Sequence, residues 1–255
     1  ITTSKLRTFL TTLGIVIGVY AVVIMVAAGQ TVNNTINNSF AILGGNMFVV
    51  VSGGGEHGGI RQQRARPTIS RDDIEAIKLL DHVVSAAPLI GSNAQVVYGS
   101  NNWNANIQGS TPDILFVHNW EIEQGASFSD RDVKSASPYV LIGETVRKEL
   151  FSFDNPVGRT IRIKNLPFRV IGLLKARGQD FAGNDQDNVI IMPATTMRQR
   201  IDGSRFPNLV HVGFVKVDSE DNMAATERKI NFLLRSRHHL KDKAENDFNV
   251  RNMTE

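Results

Sequence analysis

Leu209-Val210-His211-Val212-Gly213-Phe214-Val215-Lys216-Val217, followed by the mixed run Asp221 to His238 and then Phe248-Asn249-Val250-Arg251, sets the fold class. The first stretch is rich in β-branched residues at a length suited to a strand. The second places Met223, Ile230, Leu233 and Leu234 on one helical stripe, and the third is short and strand-like. The same order stands far upstream. Met47 to Ser52 predicts a strand. Ser70, with Asp73 three residues on, predicts a capped helix that turns Ile74, Ile77 and Leu80 inward, and Val83 to Ala87 predicts a strand stopped by Pro88. Two such units imply an α+β fold with a split βαβ arrangement of the porter or ferredoxin-like kind, formed from residues 46–112 and 208–255.

Residues 113–207 lie between the two units. A connection longer than roughly 12 to 15 residues is seldom structureless, so this segment is expected to be an inserted β-rich subdomain. Its pattern predicts strands at Tyr139 to Ile142, Thr160 to Ile163, Phe168 to Leu173 and Val189 to Met192, with a helix over Glu144 to Phe151. Gln95 to Tyr98 and the alternation Trp103, Ala105, Ile107 suggest a hairpin arm ahead of Gly109-Ser110-Thr111-Pro112. Gly178 to Asn188 is polar and is expected to be a mobile loop. Its acids Asp180, Asp185 and Asp187 do not follow the spacing of a calcium loop.

Working outward to the N-terminus, the run from Phe9 to Ala28 carries no charge. As a helix it would span roughly 30 Å, the thickness of a bilayer's hydrocarbon core. Lys5 and Arg7 flank one end only, which orients the N-terminus toward the cytoplasm and everything after Ala28 outside. The apolar core is longer than that of a cleaved signal, so residues 1–29 are expected to be a permanent transmembrane helix with its cytoplasmic flank. Gly14 and Gly18 form a small-xxx-small pair where another membrane helix could approach. Beyond the span, Val32, Ile36, Phe40 and Leu43 recur at helical spacing among asparagines, ending at Gly44-Gly45. Residues 30–45 therefore predict a stalk helix with one apolar face.

The charge balance excludes one function class. Of 28 Lys and Arg, the 26 other than Lys5 and Arg7 are nearly balanced by 25 Asp and Glu, and the first acid is Glu56. The basic excess is an orientation signal and not the footprint of a nucleic-acid binder, so no nucleic-acid partner is expected. No cysteine is present, which removes disulfides, thiolate catalysis and Cys-ligated metals. The glycine-rich stretch Gly53 to Gly59 before Arg61, Arg64 and Arg66 lacks the Gly-Lys-Ser/Thr of a phosphate loop. The histidines His57, His82, His118, His211, His238 and His239 show no His-Glu-x-x-His spacing, and no Gly-x-Ser-x-Gly elbow is present. His238 and His239 close a helix, where cations suit the dipole. Trp103 and Trp120 are assigned to packing. No catalytic, cofactor or metal residues are expected, and nucleotide chemistry, if used, is left to another chain or segment.

Lys5-Leu6-Arg7-Thr8-Phe9-Leu10-Thr11-Thr12-Leu13-Gly14-Ile15-Val16-Ile17-Gly18-Val19 resembles the first transmembrane segment of MacB-type ABC transporter permeases, related to FtsX and the lipoprotein-releasing permeases. Leu43-Gly44-Gly45-Asn46 is similar to the end of that family's stalk, and Gly109-Ser110-Thr111-Pro112 to its Gly-Thr-x-Pro turn. Asn155-Pro156-Val157-Gly158-Arg159-Thr160-Ile161 and Phe168-Arg169-Val170-Ile171-Gly172 resemble its insert motifs, and Leu233-Leu234-Arg235-Ser236-Arg237-His238 with Asp247-Phe248 its last helix and strand. Gly125-Ala126-Ser127-Phe128 departs from the family's Gly-Arg-x-Phe. The resemblance implies a permease of the bacterial inner membrane whose periplasmic domain transmits ATP-driven motion during export or efflux. It implies a homodimer with a second permease copy, a cytoplasmic ATP-binding domain or subunit, and in tripartite members a periplasmic adaptor and an outer-membrane duct. A membrane-anchored extracytoplasmic sensor or substrate-binding module is the alternative. A pilin-like subunit is disfavoured by the lack of an acid near the start of the apolar helix, and an anchored hydrolase has no motif to support it.

Overall fold

The computed structural model describes Tyr20 and residues 46–53, 68–180, 183–203, 208–241 and 244–253. The expected span with Gly14 and Gly18, and the expected stalk with Val32, Ile36, Phe40 and Leu43, lie outside the described residues. Among the described residues no helix is long and apolar enough to cross a membrane. The chain divides into two units, Ile1–Ile42 and Leu43–Glu255, and every element named below belongs to the second.

β1 (Met47–Ser52) buries Phe48 and Val50 on one face and Met47 on the other. α1 (Arg71–Lys78) starts where its capping residues predict. The Ser70 hydroxyl accepts from the Asp73 amide, and the Asp73 carboxylate accepts from the Ser70 amide at 2.9 Å. β2 (Val83–Tyr98) runs straight through Pro88 instead of stopping there. The reason lies in the direction of one carbonyl. The Ser110 hydroxyl donates to the Pro88 carbonyl at 2.6 Å, so that carbonyl and the proline nitrogen beside it point away from the neighbouring strand that receives the Leu89 carbonyl bond. The missing N–H therefore costs no rung of the ladder. Gly99, at φ +57, opens the two-residue turn to β3 (Asn101–Ser110).

α2 (Asp113–Val117) and β4 (Ile122–Gly125) follow. α3 (Asp130–Ser135) is opened by a second capping box, Ser129 with Asp132. β5 (Tyr139–Ile142), α4 (Glu144–Phe151), β6 (Thr160–Ile163), β7 (Leu166–Leu174) and β8 (Val189–Pro193) match the expected pattern of the insert closely. α5 (Ala194–Thr196) runs into a π-helical turn at Met197–Asp202. β9 (Val212–Val217), α6 (Met223–Arg237) and β10 (Phe248–Asn252) complete the unit.

The strands make two sheets that share β2. In the first, the order β10-β1-β9-β2 is antiparallel throughout, which is the arrangement of two interleaved βαβ units. Phe48, Val50, Ala86, Val215 and Val217 face α1 and α6, which contribute Ile74, Ile77, Ile230 and Leu234. In the second, β2-β3-β8-β5-β7-β6 returns to β2 and closes a six-stranded ring, with β4 added along β7. Alternate residues of all six strands fill it: Ala94 and Val96, Ala105 and Ile107, Ile190 and Met192, Val140 and Ile142, Phe168 and Val170, Ile161 and Ile163. α4 packs on this ring through Val146, Leu150 and Phe151.

β2 changes partner from β9 to β3 at Leu89–Ile90. The passage from split βαβ to barrel thus lies inside β2 and not at the expected break after residue 112, because one long strand is cheaper than two strands and a buried loop with unpaired amides. A second core, with Met47, Ala87, Ile114, Val117, Phe128, Leu141 and Ile191, packs on the opposite face of β1 and β2. The stretch Gly178 to Asn188 is also more tied down than its polarity suggests. The Asp187 carboxylate accepts from the amides of Arg177 and Gly178, both at 2.8 Å, and Asp180 accepts from the Asn184 amide at 2.8 Å. These acids serve turns. Chain entry and exit are adjacent, since Phe48 pairs with Asn252 and the Met253 amide donates to the Met47 carbonyl at 3.1 Å.

Gly143, between β5 and α4, is fixed by contact: a Cβ there would lie 2.2 Å from the Asp187 carbonyl oxygen and 3.2 Å from Val189. Gly91 has nothing within 4 Å of the same position. Gly143→Ala is expected to destabilise the chain by about 2 kcal/mol or more through overpacking against fixed backbone. Gly91→Ala should change it by under about 0.5 kcal/mol. Urea unfolding of the two variants side by side checks this, and equal midpoints would contradict it.

Candidate functional site

None of the residues expected from the sequence to form a contact site, Gly14, Gly18, Val32, Ile36, Phe40 and Leu43, is among the described residues. Among the described residues no group of three or more His, Asp or Glu is placed to hold a metal ion. The polar side chains gather instead in three places that bind elements to one another.

The first joins the start of α1 to the end of α6. Asp73, 4% exposed, accepts from the Arg237 Nε at 2.6 Å, while its other oxygen lies 3.3 Å from the His238 Nε2. The opposite ring nitrogen of His238 lies 2.7 Å from the Asp247 carboxylate, and the Asp247 carbonyl accepts from the Thr68 hydroxyl. Burial pushes the Asp73 carboxyl up, but the bonds from Ser70, Arg237 and His238 outweigh it and hold the group below its ordinary value. His238 therefore does more than meet a helix dipole: it bridges two carboxylates from different elements. The Ser70-x-x-Asp73 spacing marked Asp73 as a cap; nothing in spacing could pair it with a residue so distant in sequence.

The second closes the C-terminus of α2. Lys216 of β9 donates to the Phe116 carbonyl at 3.3 Å and the Asn119 side chain at 2.5 Å, and its ammonium lies 4.8 Å from the centre of the Phe116 ring. Arg177 donates to the His118 carbonyl at 2.9 Å. Two cations thus satisfy the last carbonyls of a short helix. The His118 ring stacks on Trp120 and meets Phe214 edge-on. Burial first, then the charges of Arg177 and Lys216, push its pKa down from 6.5 to about 4. Trp120 packs as expected, and Trp103 also donates to the Asn188 side chain at 3.0 Å.

The third is an open cleft of about 340 Å³ between α1 and α3, lined by Arg71, Asp72, Glu75 and Lys78 on one side, Asp130 and Lys134 on the other, with Thr111 and Asp113 at its floor. Lys78 is held by Asp113, both carboxylate oxygens at 2.7 Å. Burial alone would lower the Lys78 pKa, but the bond to Asp113 and the nearby charges raise it. The Ser85 hydroxyl also donates to Asp113 at 3.2 Å.

The fold has counterparts among solved structures. The periplasmic region of MacB from Actinobacillus actinomycetemcomitans superposes with a TM-score of 0.68 at 24% identity, over 84% of this chain and 91% of that one. The extracellular domain of the noncanonical ABC-type transporter YknZ from Gram-positive bacteria gives 0.64 at 19% identity, over 81% and 100%. The chain belongs to the MacB-like periplasmic core domain family, whose model matches residues 8–232. It is 32% identical over 98% of its length to a macrolide export ATP-binding/permease protein MacB of Syntrophobacter fumaroxidans. It is 35% identical over 81% to the pyoverdine export ATP-binding/permease protein PvdT of Pseudomonas aeruginosa. It spans 42% and 30% of those relatives' lengths.

The depressed His118 sets a pH dependence. The unfolded chain takes up this proton near pH 6.5 and the folded chain only near 4, so the stabilisation is full above 6.5 and is lost as pH falls toward 4. Between pH 7.5 and 5 the loss is about 2 kcal/mol. In urea unfolding at the two pH values, His118→Phe should lose correspondingly less stability than the parent. An equal loss in both would show that His118 is not the group responsible.

Proposed function

We propose that this chain is the first membrane segment and periplasmic domain of an ABC export permease, and that the domain transmits ATP-driven motion and docks partner proteins. The match to the family model across residues 8–232 carries this reading. The uncharged run after Lys5 and Arg7 supports a single span with the N-terminus in the cytoplasm, followed by a stalk over residues 30–45 that delivers movement to the sheets. A second permease copy is the expected partner across Gly14 and Gly18 and along the Val32, Ile36, Phe40 and Leu43 face. A cytoplasmic ATP-binding domain or subunit supplies hydrolysis, and this chain is not itself an enzyme. An adaptor and an outer-membrane duct complete the assembly in a tripartite exporter. The cleft of about 340 Å³ is a feature that favours the alternative of an anchored sensor or substrate-binding module. Its charged lining and open shape suit a polar ligand poorly enclosed, and a tight small-molecule ligand would favour that alternative.

Cysteines placed one at a time along Gln30 to Leu43 of the full-length transporter are expected to cross-link between copies at rates that differ between ATP-bound and ATP-free states. Rates unchanged at every position would remove the coupling role.

A further inference from the structure

The charges of the cleft follow a pattern across its two walls. On α1 the cleft face runs Arg71, Asp72, Glu75, Lys78; on α3 it carries Asp130 and, one turn later, Lys134. Asp130 lies close enough to Lys78 to favour its charged form. The second half of α3 is linked toward the start of α1: the Val133 carbonyl accepts from the Thr195 hydroxyl, and Thr195 lines a small cavity with Arg71. This places Asp130 opposite the Lys78 end and Lys134 toward Asp72 and Glu75, so each wall presents the complement of the other. Among the described residues no ion pair yet joins α1 to α3. Lys78 pairs with Asp113 on the floor, and the space between the walls holds roughly ten water volumes.

The surroundings permit movement. α1 packs against β2 and α3 against α5, and the second core under α3 takes residues from both sheets. Val133 seats α3 in the second core at its middle while Asp130 and Lys134 are exposed, so the helix can tilt on an apolar pivot. We propose that the cleft is a clasp with an open and a closed arrangement, in which Lys134 pairs with Glu75 or Asp72, and Asp130 with Lys78, so that closure fixes α3 against α1. The clasp deepens the coupling role proposed above and rests on it. Its function is to switch how firmly α3 is held on the domain.

The test uses the full-length transporter in membranes. The absence of cysteine from this segment lets labels be placed without background from it. Spin labels at Leu79→Cys, an 86% exposed position, and Arg131→Cys report on α1 and α3 without removing a cleft charge. The expected result is two distances whose populations change between ATP-free and ATP-trapped states. Lys134→Glu should shift the ratio toward the longer distance by about two- to five-fold, the effect an exposed ion pair commands, and adding Glu75→Lys and Asp72→Lys should restore it. A single distance in every state overturns the clasp. Two distances insensitive to Lys134→Glu overturn it as well, because the charges would then not be what closes it. If the Gln30 to Leu43 cross-links respond to ATP while this distance does not, the clasp fails and the coupling role stands; if neither responds, both fail.

Discussion

Everything in the second unit depends on β2 keeping one side-chain parity from Ser85 to Tyr98, past the bulge between Val83 and Ser85. At about 3.3 Å per residue this strand is roughly 50 Å long, and it is edge to one sheet and stave of another. Ala86 faces the helices of the first sheet, and Ala94 and Val96, at the same parity, face the interior of the ring. Ala87, at the other parity, faces the second core. A slip of one residue would turn Ala94 and Val96 out of the ring and exchange Ala86 and Ala87 between cores, so two cores specify a single register. The continuity also explains why Pro88 is tolerated where it sits. Its nitrogen faces the gap between the end of one pairing and the start of the next.

Ionic groups are placed where strands cannot reach. The Asp73, Arg237, His238 and Asp247 cluster ties α1 to α6 and to the approach of β10. Such a cluster adds little net stability over an apolar equivalent, yet removing one member strands the others in a poor solvent. Its contribution is to specificity of assembly: α1 and α6 meet in one alignment only. The two cations over the end of α2 act in the same way, linking β9 and the connection after β7 to a helix too short to persist alone.

Local patterns were the legible part of this chain. The Ser70 box, the helix at Glu144, the strands at Tyr139 and Thr160 and the alternation through Trp103, Ala105 and Ile107 are all short-range signals. They follow from propensity, capping and a period of two or 3.6. The two βαβ units of the first sheet followed from seeing one pattern twice. What sequence did not disclose were pairings between distant segments: β6 closing the ring against β2, and Arg237 finding Asp73. The Ser129-x-x-Asp132 box carries the same signal as Ser70, but no long apolar run follows it. β4 is only four residues long, too short to establish a period. The cleft is invisible from sequence because its walls belong to α1 and α3, and only the path of β2 brings them face to face.

The pairing of Phe48 with Asn252 fixes how this unit meets load. Because the first and last strands are antiparallel neighbours, the incoming and outgoing chain emerge side by side. A pull that spreads them acts on the β1–β10 ladder rung by rung, as a zip is opened, and does not shear all its hydrogen bonds together. Resistance to splaying is therefore low at this corner and the deformation is local. The ring beyond, whose strands close on one another, is spared until the whole of β10 has peeled.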